Sequence, residues 1–96
     1  MQSNDARRYT MDLRRVTTKA ELHDAIKTTF AFPAHYGANW DACWDCLGEL
    51  PEGPLVIELV GFGVAYERLG YQMTTFLNLL HDFRRLREEK VEIRFE

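Results

Sequence analysis

The order of strand-like and helix-like patterns is the feature of this chain that most constrains its fold. Apolar and polar residues alternate over residues 8–14 and 91–96, while residues 55–60 are almost continuously apolar, and helical patterns separate the three segments. Strands joined through helices pair in parallel by right-handed crossovers. The most apolar strand belongs at the centre, since only outer strands tolerate water on one face. The pattern therefore predicts a two-layer α/β fold: a three-stranded parallel sheet in the order 1-2-3, with the helices on one face.

Four helical segments fill the connections between these strands. Thr18-x-x-Glu21 is a capping box and starts the first helix, and Asn39 is a favourable N-cap for the second. Gly61 and Gly63 predict a loop before the third. The predicted helices run from about Lys19 to Ala31, from Asn39 to about Gly48, over one or two turns within residues 64–69, and from about Tyr71 to Glu89.

The size and composition of the chain are those of one soluble domain. We expect residues 1–96 to form a single domain, with residues 1–6 as a flexible tail. The chain is 46% hydrophobic and 28% charged, which is ordinary for a globular protein. We find no transmembrane stretch or signal-peptide pattern, and the two cysteines lie too close together for an ordinary disulfide. These features predict a cytoplasmic protein that does not bind membranes.

Charge is distributed very unevenly along the sequence. Residues 28–67 contain six Asp and Glu but no Lys or Arg, although residues 1–27 and 68–96 contain six Lys and Arg each. A surface built from the middle segment would repel phosphates. Nucleic acid is therefore not expected as a partner.

Three of these acidic residues lie on one face of the second predicted helix. Asp41, Asp45 and Glu49 are spaced four apart, so they are neighbours on a helix, and we call them the acidic stripe. Each like-charged neighbour pair costs about 0.2–0.5 kcal/mol, which a single Lys would have removed. A solvated helix face explains many acidic stripes. The absence of any cation nearby in the sequence favours the alternative, a surface for a cationic partner.

Large side chains are unusually dense around the acidic stripe. Four of them fall within ten residues: His35, Tyr36, Trp40 and Trp44. One helix of about nine residues cannot easily bury two indoles against a small sheet, so we expect at least one of the two tryptophans, but not necessarily both, in the core. An aromatic side chain beside carboxylates is also typical of a protein-binding anchor. His23 and His81, by contrast, are predicted to be ordinary surface or boundary residues of their helices.

Two other kinds of site are weaker interpretations of the same residues. Cys43-x-x-Cys46 is compatible with a redox pair or half of a zinc site, but no second pair of ligands follows. Asp41 and Asp45 are compatible with a catalytic carboxylate pair, but the chain has no phosphate-binding loop or nucleophile motif. We therefore expect no enzyme activity, no metal, no cofactor and no small-molecule substrate.

A long motif around the stripe resembles a known family. Residues 32–47 read FPAHYGANWDACWDCL, which is similar to the signature of the barstar family of inhibitors of guanyl-specific microbial ribonucleases. Further similar segments are Glu21–His23, Pro54–Val56 and Phe83-Arg84, so the resemblance covers nearly the whole chain. It implies a three-stranded parallel sheet with packed helices.

The resemblance also implies a partner and a set of binding residues. It predicts a 1:1 complex in which the loop and the second helix plug the active site of a secreted ribonuclease. By position, Asp45 matches the central carboxylate that replaces a substrate phosphate, and Asp41 matches its acidic neighbour. The residues predicted to bind the ribonuclease are His35, Tyr36, Gly37, Asn39, Trp40, Asp41, Trp44, Asp45 and Glu49.

Three positions depart from the family pattern. His35 stands where tyrosine is common, Trp40 where an aliphatic residue is common, and Arg85 where an acidic contact would favour a basic nuclease. These departures are compatible with a less basic partner. The alternative function is an acidic adaptor that binds a different basic protein through the same face.

Overall fold

The computed structural model describes residues 6–96, and it confirms the predicted architecture. Most of the tail expected at residues 1–6 lies outside the described residues. Seven elements follow in the order β-α-α-β-α-α-β: β1 Arg7–Asp12, α1 Lys19–Phe30, α2 Trp40–Gly48, β2 Leu55–Val60, α3 Phe62–Leu69, α4 Tyr71–Leu86 and β3 Val91–Phe95. Among residues 6–96 no helix combines the length and the apolarity that crossing a bilayer requires.

The three strands pair in parallel in the order β1-β2-β3, as the sequence predicts. Met11 of β1 lies opposite Leu59 of β2, which lies opposite Phe95 of β3. Alternate residues of a strand point to opposite faces, so Leu55, Ile57 and Leu59 share one face, where they are at most 1% exposed. This is the face that the helices cover.

The core lies between that sheet face and the helices. Its apolar positions recur every three or four residues in α1 and α4, which gives each helix one buried side. The largest fully buried side chains are Phe76, Phe83, Met11, Leu13, Leu22, Ile26, Leu47, Leu55, Ile57, Leu59, Met73 and Leu80. α2 enters this core through Cys43 and Leu47, so its outer face is held in place by buried contacts.

The other face of the sheet is polar and keeps its charges paired. The Glu58 carboxylate accepts hydrogen bonds from Arg8 at 2.5 Å and from Thr10 at 2.7 Å, and Arg94 lies 3.7 Å away. The hydrogen bond from Thr10, followed by that from Arg8, lowers the pKa of Glu58. This face is therefore electrostatically different from the outer face of α2.

Two helix boundaries differ from the prediction, one at a tertiary contact and the other at a backbone turn. α3 begins at Phe62, because this ring packs edge-on against Phe95 with 5.3 Å between centroids. α4 ends at Leu86 and not at Glu89, because Glu88 and Glu89 adopt left-handed φ angles of 56° and 65°. The chain turns there to enter β3, and no glycine marks the turn.

Candidate protein-binding surface

Asn39 fixes the start of α2 and the loop before it. Its backbone is extended, and its Oδ1 accepts a hydrogen bond from the Ala42 N–H at 2.8 Å. Its Nδ2 donates to the Gly37 carbonyl at 3.2 Å. A Cβ at Gly37 would lie 3.2 Å from the same Nδ2, so a larger residue would crowd the cap. One side chain therefore ties the loop, residues 31–39, to the helix.

The two tryptophans of α2 have different environments. Trp40 is half-buried, with its ring 5.9 Å from that of Phe76 and 4.5 Å from that of His23. Trp44 is 36% exposed, more than the half-buried Trp40. Trp40 therefore anchors α2 to the core, while Trp44 lies on the surface beside the acidic stripe.

The acidic stripe is exposed to solvent. Within residues 6–96, none of Asp41, Asp45 and Glu49 takes part in an ion pair or accepts a side-chain hydrogen bond. Asp41 lies in the first turn, where the helix dipole favours a negative charge, but Glu49 caps the carbonyl end, where it does not. The fold therefore presents three unpaired carboxylates on one helix face.

A shallow cavity of about 240 Å³ lies between the loop and α2. It is lined by Pro33, His35, Tyr36, Gly37, Ala42, Asp45, Cys46 and Glu49. The structure thus brings three of the predicted loop residues together with two carboxylates of the stripe. Trp40, Asp41 and Trp44 lie on α2 but do not line this cavity. Asn39 caps the N-terminal end of α2. We use the name binding surface for the loop and the exposed face of α2.

Comparison with known proteins agrees with this architecture. The family model described as Barstar (barnase inhibitor) matches residues 6–96. The chain belongs to the barstar family. A protein named "Putative ribonuclease inhibitor YrdF", from Bacillus subtilis (strain 168), is 36% identical over 61 residues, which are 64% of this chain and 67% of that relative. The fold expected of a barstar-family protein is the one observed here.

An arginine that follows α4 supports the other end of α2, and sequence reasoning did not find it. The Arg87 guanidinium donates to the Pro51 carbonyl at 3.0 Å and to the Leu50 carbonyl at 2.8 Å. It also lies 4.8 Å above the centre of the Phe83 ring. The Arg87 guanidinium therefore binds backbone carbonyls just after α2 and forms no ion pair with the acidic stripe. Thirty-six residues separate Arg87 from Pro51, and no local pattern signals such a contact.

Replacing Arg87 with Met is expected to lower the free energy of unfolding by about 1.5–3 kcal/mol, since charge-assisted hydrogen bonds to half-buried carbonyls are lost. Arg85→Met is the matched control, because the Arg85 side chain pairs with the exposed Asp82 and its loss should change stability by less than about 0.5 kcal/mol. Urea denaturation of both variants measures the difference. Equal losses of stability would show that Arg87 does not support α2.

His23 is the clearest error of the sequence prediction. It is 2% exposed and therefore belongs to the interior, not to the helix surface or boundary. Its Nδ1 lies 2.7 Å from the Tyr36 hydroxyl, and its ring packs on Trp40. The signal was present in the sequence: His23 shares the spacing i, i+3, i+7 with Ile26 and Phe30, which are both buried.

The two cysteines are free thiols that stay protonated near neutral pH. Burial raises the pKa of Cys43 to about 12, and contact with the Tyr36 hydroxyl offsets part of the rise. Burial and then the neighbouring Glu49 and Asp45 raise the pKa of Cys46. The thiolate is the form that binds metals and attacks disulfides, so this environment disfavours both uses. Within residues 6–96, no three His, Cys, Asp or Glu side chains are gathered as metal ligands.

Proposed function

We propose that this protein inhibits a secreted guanyl-specific ribonuclease by covering its active site with the binding surface, in a 1:1 complex. The observation that carries the proposal is the acidic stripe, three carboxylates on an outer helix face of a barstar-family protein that have no ion-pair partner among residues 6–96. The name of the Bacillus subtilis relative also refers to ribonuclease inhibition. In this proposal the protein acts as a single domain in the cytoplasm of the producing cell, and it catalyses no reaction.

Substrate mimicry gives the unpaired charges a physical reason. A ribonuclease active site holds RNA phosphates and therefore concentrates cationic side chains. Carboxylates fixed on a helix can take the place of those phosphates and form charge-assisted hydrogen bonds with the same cations. An internal Lys or Arg partner would relieve the repulsion within the stripe, but it would also compete with the nuclease.

The contacts behind the surface support a preorganised inhibitor. Asn39 fixes the loop to the start of α2, Trp40 anchors the helix on Phe76, and Arg87 binds the carbonyls beyond its end. Because these groups are already ordered, binding would lose little conformational entropy in the backbone that carries Asp45. The exposed Trp44 adds an aromatic side chain next to the charges, as in many interface centres.

Titration against guanyl-specific ribonucleases tests the proposal. RNA cleavage should fall linearly with added protein and vanish at one equivalent. If no such nuclease is inhibited, while a different basic protein binds and Asp45→Ala abolishes that binding, the chain is an adaptor that uses the same surface. Loss of cleavage without stoichiometry would point to non-specific electrostatic association.

Association with the nuclease should be fast at low salt and slower as salt rises. Exposed charges are screened over about 10 Å at 0.1 M salt but over only about 3 Å at 1 M, so long-range attraction to the acidic stripe is lost. Stopped-flow measurement of the association rate constant at both concentrations, with Glu49→Gln for comparison, tests this. The variant should show a weaker salt dependence, and an identical slope would exclude Glu49 from the steering field.

A further inference from the structure

His23 connects three parts of the structure behind the binding surface. It lies on α1, its Nδ1 is 2.7 Å from the Tyr36 hydroxyl of the loop, and its ring centroid is 4.5 Å from that of Trp40 at the start of α2. It is 2% exposed. Tyr36 in turn lines the cavity beside Asp45. His23 therefore contacts one residue of the loop and one at the start of α2.

The surroundings of His23 suit a neutral ring. Among residues 6–96, the buried Nε2 has no hydrogen-bond partner, whereas Nδ1 can pair with the Tyr36 hydroxyl in either tautomer. A protonated ring would carry an N–H on both nitrogens, and the one on Nε2 would be buried without an acceptor.

The charged and titratable groups around His23 do not compensate for a buried imidazolium. Lys19 and Asp24 lie on its own helix and act in opposite directions, while Tyr36 and the Cys43 thiol face this cluster from the loop and α2. The nearby aromatic rings attract a cation, but burial is the larger effect. Burial first, and Lys19 second, lower the pKa of His23 from its ordinary value of 6.5.

We infer that neutral His23 is a positioning residue for the binding surface, and that its protonation in mildly acidic solution loosens the loop and weakens the ribonuclease complex. The second half of this inference rests on the proposed function. A histidine whose pKa is lowered by folding stabilises the folded arrangement fully above its ordinary value of 6.5. That contribution is lost as the pH falls from there through the lowered folded-state pKa.

Hydrogen exchange of the free protein tests the inference without any nuclease. Between pH 7.5 and 5.5, amide protection over residues 34–43, corrected for intrinsic exchange, should fall roughly fivefold or more, the lower end of typical coupling effects. Protection over residues 74–84 of α4 should change much less. The loss should begin near the ordinary histidine pKa of 6.5 and level off where the His23 ring protons titrate by NMR. Equal changes in both segments, or none, would overturn the inference.

Two variants test whether His23 is the group whose protonation loosens the loop. His23→Asn keeps an amide near the position of Nδ1 but takes up no proton, so its protection should be lower at pH 7.5 and nearly independent of pH. His81→Asn, on α4, should keep the wild-type pH profile. The same pH profile in wild type and His23→Asn would exclude His23 as the sensor. If His23→Asn does not fold, the exchange profile and the NMR midpoint of the wild-type protein still decide the matter.

The effect on ribonuclease binding is measured as a ratio of two dissociation constants, because the ribonuclease itself also changes protonation with pH. The dissociation constant of wild type divided by that of His23→Asn, for one ribonuclease, should rise roughly fivefold or more from pH 7.5 to 5.5. A constant ratio combined with a pH-dependent loop would reject the link to inhibition but keep the positioning role. If no ribonuclease is inhibited at any pH, the proposed function fails, and the exchange data still test His23 independently.

Discussion

Replacing Asp45 with Ala is expected to raise the dissociation constant of the ribonuclease complex by about 30-fold or more, which corresponds to at least about 2 kcal/mol. Asp45 lies at the middle of the acidic stripe and lines the cavity below the loop, so its carboxylate is central to the proposed surface. The barnase–barstar complex is itself a standard example of such interfaces, so this magnitude is borrowed from a complex of the same family.

Glu52→Ala is the matched control for Asp45→Ala. Glu52 is also exposed and acidic, but it lies in the turn after α2 and outside the stripe. Its removal should change the dissociation constant by no more than about twofold. Asp45→Ala should also leave the free protein as stable as before or slightly more so, because it removes two like-charged neighbour pairs. Equal effects of the two substitutions on binding would contradict the assignment of Asp45.

Phe76→Ala is expected to lower the free energy of unfolding by about 3–5 kcal/mol, the usual range for deleting a buried phenyl ring. Phe76 is fully buried at the centre of α4, and its ring supports Trp40. Since small domains are stable by about 5–15 kcal/mol, this single change removes a large fraction of the total. Urea denaturation followed by tryptophan fluorescence measures it, and the emission of Trp40 should also shift to longer wavelength.

Phe95→Ala is the matched control for Phe76→Ala, because it removes the same side chain from an exposed position. Phe95 is 55% exposed and contacts Phe62 edge-on, so its loss should destabilise by less than about 1 kcal/mol. A loss of similar size in the two variants would mean that Phe76 does not carry the core packing described here. Neither substitution alters the charge of the binding surface.

Much of this fold follows from local patterns. The N-cap residues of α1 and α2 predicted both starts correctly, because the Thr18 and Asn39 side chains do accept hydrogen bonds from the first turns of their helices. The strand order followed from polarity alone, since a continuously apolar strand requires neighbours on both sides. These signals are local in sequence, and tertiary contacts did not override them.

Several features that were mispredicted or missed depend on contacts between distant residues, whereas the burial of His23 was indicated by spacing within α1. The start of α3 is set by Phe62 against Phe95, and the end of α4 by the turn into β3. The support of α2 by Arg87 also depends on residues that are far apart in the sequence. Residue spacing within one segment cannot reveal which distant side chain completes a helix end.

In the candidate site, too, the features set by local spacing were predicted and those set by tertiary packing were not. The acidic stripe was predicted by i, i+4 spacing, and the structure adds that its carboxylates have no counter-charge among residues 6–96. Which tryptophan faces solvent could not be predicted, because Trp40 and Trp44 lie one turn apart on the same side of α2. Only the packing of Trp40 against Phe76 and His23 distinguishes them.

The most direct test of the proposed function is to identify which residues of this protein contact the ribonuclease. Amide chemical shifts of the ¹⁵N-labelled protein would be recorded with and without one equivalent of a catalytically inactive guanyl-specific ribonuclease. We expect the largest changes on residues 33–49, with strong effects at Asp41, Asp45 and Trp44. Changes centred on the open sheet face around Glu58 and Arg94, with residues 33–49 unaffected, would contradict it.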